Sequence, residues 1–137
     1  NFTGLVQILN IISNDFETRK SGVIVGISSV AGDKGRASNY IYGSSKAAFT
    51  SFLSGLRDRL SSSGVLVITV KPGYIKTKMT SHLKLPKILT SSPDKISKDI
   101  INAIRKKKSI IYTMWLWRWI MLIVNIIPSS FYRKVLS

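Results

Sequence analysis

The chain has 137 residues, 45% hydrophobic and 20% charged, which suits one globular domain with a small core. It has no cysteine, which excludes a disulfide framework and cysteine-based metal sites or nucleophiles, and one histidine with six carboxylates leaves little material for any metal site, so none is expected. The formal charge of +15 points either to an anionic partner (nucleic acid, anionic lipid or a phosphorylated substrate) or to compositional drift toward lysine.

Asn1-Phe2-Thr3-Gly4 has neither a Met nor a targeting pattern, and apolar residues recur at helix spacing through Phe2, Leu5, Val6, Leu9 and Ile12. The chain therefore reads as the C-terminal part of a longer protein, opening in or at the head of a helix over residues 2–18. Ser21-Gly22 ends that helix, and Val23 to Ile27 is a β-branched run expected to form a strand buried on both faces. A loop over Ser28 to Asn39 leads to a second helix over residues 40–60, closed by Ser61-Ser62-Ser63-Gly64. Val65 to Val70 is the next buried strand, and Pro72-Gly73 opens a long basic loop. Ser92-Pro93 reads as an N-cap followed by proline at the first helical position, with the helix running to about Lys106. Ser109 to Thr113 is a third strand candidate. The alternation of helix and strand predicts an α/β fold built on a parallel sheet with covering helices.

Chemistry is expected beyond the carboxyl ends of the strands, where ligands of open parallel sheets sit. The first strand runs into Ser28-Ser29-Val30-Ala31-Gly32, and the second into Lys71-Pro72-Gly73-Tyr74-Ile75-Lys76-Thr77. Between them, Tyr42-Gly43-Ser44-Ser45-Lys46 places a phenol and an ammonium four residues apart, on one helix face. A fixed ammonium favours the phenolate and lets the phenol exchange a proton near neutral pH. A serine hydroxyl can hold a substrate carbonyl by hydrogen bonding. A Tyr-x-x-x-Lys pair alone is common on helix surfaces; the serine strand end before it and the Pro-Gly after the next strand make it specific. Tyr40 is a competing aromatic, but Ser44 stands four residues after it.

In combination these segments, over roughly residues 1–113, resemble the short-chain dehydrogenase/reductase family. The resemblance implies the C-terminal half of a Rossmann-type doubly wound parallel sheet, and transfer of hydride between NAD or NADP and a carbonyl or alcohol. Carried over by position, Tyr42 is the general acid/base. Lys46 favours its phenolate and hydrogen-bonds the nicotinamide ribose, and Ser29 orients the substrate carbonyl. Asn1 stands about where the family has an asparagine that holds a relay water. Tyr42, Lys46, Pro72, Gly73, Ile75 and Thr77 match positions that contact the cofactor. The pyrophosphate-binding glycine loop, and the residue that selects NADH or NADPH, are expected upstream of Asn1. Without them the strand at 23–28 would carry an unpaired apolar edge, and the 137-residue piece alone is expected to be inactive and aggregation-prone.

The loop lysines Lys76, Lys78, Lys84 and Lys87 could meet a substrate phosphate or simply be solvated, and His82 is expected to have no proton role. Residues 114–137 form a distinct apolar tail. Trp115 to Ile127 carries three tryptophans, with Arg118 and Asn125 its polar residues on one narrow face, and is shorter than the ~20 residues a spanning helix needs. Pro128 breaks it, and Phe131, Tyr132, Arg133 and Lys134 follow. The tail is expected to be a membrane-interface anchor or a lid, the alternative being a helix packed on the domain or in a dimer interface.

Ser38 to Ala47, Lys71 to Met79, and the tail's Ile127-Pro128 and Phe131-Tyr132-Arg133 carry a narrower resemblance, to short-chain reductases of a keto-sugar joined to a polyprenyl phosphate. It implies a lipid-linked carbonyl substrate, peripheral association with the inner face of the cytoplasmic membrane, and a homo-oligomer or a partner oxidase in the full-length protein. Another lipophilic ketone or alcohol (retinoid, steroid or acyl) is the alternative substrate. A non-catalytic membrane-interaction protein on the same scaffold is the alternative from another class. Nucleic acid is not an expected partner, because no nucleic-acid-binding motif accompanies the charge.

Overall fold

The computed structural model describes residues 2–80 and 85–128, apart from the side chain of Met79. Helix α1 (Thr3–Arg19) leads into strand β1 (Gly22–Ile27), and helix α2 (Tyr40–Arg59) into strand β2 (Val65–Lys71). Helix α3 (Pro93–Arg105) is followed by strand β5 (Ile110–Tyr112) and helix α4 (Trp115–Ile126). Strands β1, β2 and β5 form a parallel sheet in that order, with Gly22 opposite Val65 and Thr69 opposite Ile110. The helices and strands expected from periodicity are all present, with ends shifted by one or two residues. Ser92 caps α3 as expected, its Oγ accepting from the Lys95 N–H at 3.3 Å ahead of Pro93.

Strand β2 is buried on both faces because its side chains alternate between two cores. Val65 and Val67 join Ile24, Phe49, Leu53 and Leu56 under α2, while Ile68 and Val70 join Ala103 and Ile111 under α3. A strand so enclosed needs apolar side chains at successive positions, which is why Val65 to Val70 carries no clean polar alternation. Full burial of a side chain such as Leu53 contributes about 1.5–3 kcal/mol. Strand β1, expected to be buried on both faces, is not: Ile24 and Gly26 are buried toward α2, but Val23 and Ile27 on the opposite face are exposed because β1 forms one margin of the sheet.

A further feature departs from the periodicity reading, and in another the alternative given for the tail is realised on one face of its helix. The basic loop after Pro72-Gly73 contains a two-stranded parallel ribbon, in which β3 (Tyr74–Ile75) pairs with β4 (Thr90–Ser91). Two-residue strands carry no detectable period, so sequence alone shows a loop. The apolar tail forms α4, and one of its faces packs on the domain. Trp117 and Met121 are buried with Val30 in a third core, flanked by Tyr74, Leu89 and Tyr112.

Candidate active site

The carboxyl end of β1, the start of α2 and the turn after β2 are tied together by specific bonds. Ser28 follows β1 directly, and its Oγ donates to the Lys46 carbonyl at 3.0 Å and lies 2.6 Å from Thr50 Oγ1. Gly32 packs directly against α2: a Cβ there would meet Ala47 N at 2.7 Å and Lys46 C at 2.8 Å. The Val30 N–H donates to the Pro72 carbonyl at 3.0 Å, which joins the serine turn to the Pro-Gly turn. The three motifs, dispersed over more than forty residues of sequence, thus occupy one end of the sheet.

Tyr42 lies in the first turn of α2, and its side chain is 42% exposed. With Ser38, Asn39, Tyr40, Ile41 and Ser45 it lines an open cleft of about 580 Å³. Lys46 lies one turn further on, with Nζ 5.8 Å from the Tyr42 ring centroid and 5.9 Å from that of Phe49. Its ammonium donates to the Ile27 carbonyl at 2.9 Å. Partial burial of the Lys46 ammonium, which takes it away from water, pushes its pKa below the ordinary lysine value. Ser29 is nearly buried and extended, and its Oγ accepts from the Ala31 N–H at 3.1 Å. That bond orients the hydroxyl and leaves its own proton to donate toward a carbonyl oxygen.

The Pro72–Thr77 turn is pinned from both sides. The Lys76 N–H donates to the Ser91 carbonyl at 2.9 Å, and the Thr77 N–H to Thr80 Oγ1 at 3.0 Å. Pro72 is buried, Ile75 is half-buried and Thr77 is exposed. The space beside Gly73 is filled by Trp117, whose Nε1 would lie 1.9 Å from a Cβ there. Glycine at 73 is therefore required by the approach of α4. Asn1, His82 and Lys84 lie outside the described residues, as do Phe131, Tyr132, Arg133 and Lys134.

Sequence reasoning missed the groups that brace this end of the sheet. Lys71 Nζ pairs with Asp33 Oδ1 at 2.5 Å, and the Tyr112 hydroxyl donates to Asp33 Oδ2 at 2.9 Å. Burial, then the Asp33 charge, then the hydrogen bond to Asp33 push the Tyr112 phenol above its ordinary value, against a smaller pull from Arg118. Away from that end, Arg57 in the last turn of α2 donates to the Val67 carbonyl at 3.0 Å, Thr69 Oγ1 at 2.7 Å and the Ser109 carbonyl at 2.9 Å, tying α2 to β2 and to the approach to β5. Neither set leaves a local sequence signal, because its members lie on different elements.

A parallel sheet with a helix and a serine turn meeting at its carboxyl end has the architecture of part of a Rossmann-type domain. The chain matches the short chain dehydrogenase family over residues 1–87. It is 29% identical over 98% of its length to an uncharacterised oxidoreductase of Mycobacterium tuberculosis, of which it covers 54%. It is 32% identical over 78% of its length to a ketoacyl reductase of Nostoc, covering 39% of that protein. Its fold superposes on a short-chain dehydrogenase of Burkholderia cenocepacia, solved in complex with NADP, with a TM-score of 0.83 at 20% identity, over 98% of this chain and 56% of that one. The chain belongs to the short-chain dehydrogenase family and spans about half the length of the relatives it matches.

Proposed function

We propose that this chain carries the proton-transfer end of an NAD(P)-dependent reductase that works on a carbonyl at the cytoplasmic face of a membrane. The observation that carries the reading is the Lys46 ammonium, held at the Ile27 carbonyl beside the exposed Tyr42 phenol. Ser29, on the turn bonded to the same helix, completes a donor set suited to a carbonyl oxygen.

The donor set also suits a nicotinamide ribose, whose neutral hydroxyls can accept from an ammonium and exchange bonds with a phenol. Lys46 and Tyr42 would hold that ribose, with Ile75 and Thr77 on the opposing turn and Pro72 and Gly73 shaping it. When bound, the nicotinamide supplies the hydride that goes to the carbonyl carbon. Ser29 donates a hydrogen bond to the carbonyl oxygen. Tyr42 gives that oxygen its proton, and the Lys46 ammonium stabilises the phenolate left behind. In the oxidative direction Tyr42 takes the proton back from the alcohol.

The substrate favoured by this reading is a lipid-linked keto-sugar of the decaprenylphosphoryl-2-keto-ribose type. The motif likeness around Tyr42 and Pro72-Gly73 and the apolar α4 support it. A ketoacyl group is the second reading, favoured by the Nostoc relative. The apolar strip of Leu5, Ile8 and Ile11 left exposed on α1 supports coverage by another protein surface, either a second copy or a partner oxidase. Replacing Tyr42 by Phe in the full-length protein tests the chemistry. NAD(P)H oxidation with a polyprenyl-phosphate keto-sugar or a simple ketone should fall by about 10²–10⁴-fold. An unchanged rate would remove Tyr42 from the reaction.

A further inference from the structure

We infer that α4 docks on the surface of an anionic bilayer, lying in its plane with one apolar face toward the lipid. This extends the membrane-surface part of the reading above and is independent of the chemistry at Tyr42.

Helix α4 is apolar nearly all round, and the domain uses only one side of it. Trp117 and Met121 face inward and are 4% and 0% exposed. On the opposite side Trp115, Trp119, Leu122, Ile123 and Ile126 are between 51% and 74% exposed. At 100° per residue, positions 115, 119, 122 and 126 fall on one line along the helix. A monomeric soluble domain rarely leaves so continuous an apolar strip in water. No helix among the described residues is long and apolar enough to cross a membrane, and twelve residues reach only about 18 Å. The strip can therefore meet lipid only side-on.

The chemistry around the strip selects an anionic bilayer over a second copy of the chain. Tryptophan favours the boundary between headgroups and acyl chains, and two of the five exposed side chains are tryptophan. Arg118 is exposed on the flank of the strip, and the exposed run Arg105-Lys106-Lys107-Lys108 leads into β5 immediately before the helix. Lys108 and Arg118 open with Trp115 and Tyr112 onto one cleft of about 420 Å³, and Arg118 and Tyr112 also line a second with Trp119 and Leu122. The two carboxylates nearby are already engaged, Asp99 by Lys95 at 3.3 Å and the nearly buried Asp33 by Lys71 and the Tyr112 hydroxyl. Cations beside an interfacial apolar strip meet lipid phosphates, each contributing modestly and additively at an anionic surface. Two copies brought face to face here would set the exposed Arg118 and the Arg105-Lys106-Lys107-Lys108 run of one against those of the other, which repel.

The test is sedimentation of the full-length protein with vesicles of phosphatidylcholine, with and without phosphatidylglycerol. Wild type should sediment with the phosphatidylglycerol vesicles. It should bind roughly tenfold or more weakly to pure phosphatidylcholine, to anionic vesicles in high salt, and after Trp119→Asp with Ile126→Asp. Both replaced side chains are exposed, so the variant should fold and keep its rate on a water-soluble ketone. Tyr42→Phe should bind vesicles as wild type does, which separates failure of the docking from failure of the chemistry. Equal vesicle binding by wild type and the double variant would overturn the inference. So would a dimer abolished by the same substitutions in a protein that ignores vesicles, or preference for DNA over anionic vesicles at moderate salt.

Discussion

Lys46 donates its ammonium to the backbone carbonyl of Ile27, the last residue of β1, at 2.9 Å. The bond fixes the position of a charge whose stem leaves the same helix face as Tyr42, one turn away. A lysine on a helix surface usually sweeps a wide volume; this one is tethered to the strand end that also delivers Ser28 and Ser29. Charge, phenol and hydroxyl are positioned by a single junction between β1 and α2.

That junction makes Tyr42 and Lys46 act as a unit. Tyr42→Phe and Lys46→Met should each lower the reductase rate by about 10²–10⁴-fold, and the double variant should lose little more than the worse single. Single-turnover rates with saturating NAD(P)H check this; a multiplicative double loss would mean independent roles.

The Asp33–Lys71 pair is braced for stability. Both side chains are nearly buried, so Asp33→Asn or Asp33→Ala leaves an uncompensated ammonium in the interior and should cost about 3–5 kcal/mol in denaturant unfolding. Adding Lys71→Met to Asp33→Ala should recover much of the loss, since removing both charges removes the unpaired one.

Tyr112 gives the protein an alkaline limit. Its folded pKa is raised above the ordinary 10.0 by burial and by Asp33. The unfolded chain loses this phenol proton near pH 10 while the folded chain keeps it. The stabilisation is therefore complete below about pH 10 and is lost as pH rises beyond it. Denaturation midpoints should fall across this range in wild type and fall less steeply in Tyr112→Phe.

Gly73 and Trp117 should be coupled. Gly73→Ala places a methyl group 1.9 Å from the indole Nε1, which otherwise donates to the Leu89 carbonyl at 3.1 Å, and should cost about 1–3 kcal/mol. Trp117→Ala should cost about 3–5 kcal/mol through the cavity it opens. Combined, the two should cost less than their sum, because alanine at 73 then enters vacant space.

Much of this was readable in the chain. The long elements announced themselves through apolar period and caps, as with Ser92-Pro93 ahead of α3 and the β-branched runs of β1 and β2, because those signals act over neighbouring residues. Tyr42 and Lys46 were legible for the same reason, since i and i+4 share a helix face. Their association with Ser29 needed the family likeness, and the bonds that bring them together appear only in the structure.

What the sequence by itself determined is local: which segments are helix or strand, that the sheet is parallel, and that a phenol and an ammonium share one turn. Tertiary structure decided the rest, because partners far apart in the chain have no common period. It joined Val30 to Pro72 and Asp33 to Lys71 and Tyr112. It also divided α4 into two faces. Apart from Arg118 and Asn125 the run from Trp115 to Ile126 is apolar throughout, and only the approach of Gly73 and Val30 to one side of it buries Trp117 and Met121 while leaving Trp115 and Trp119 in solvent.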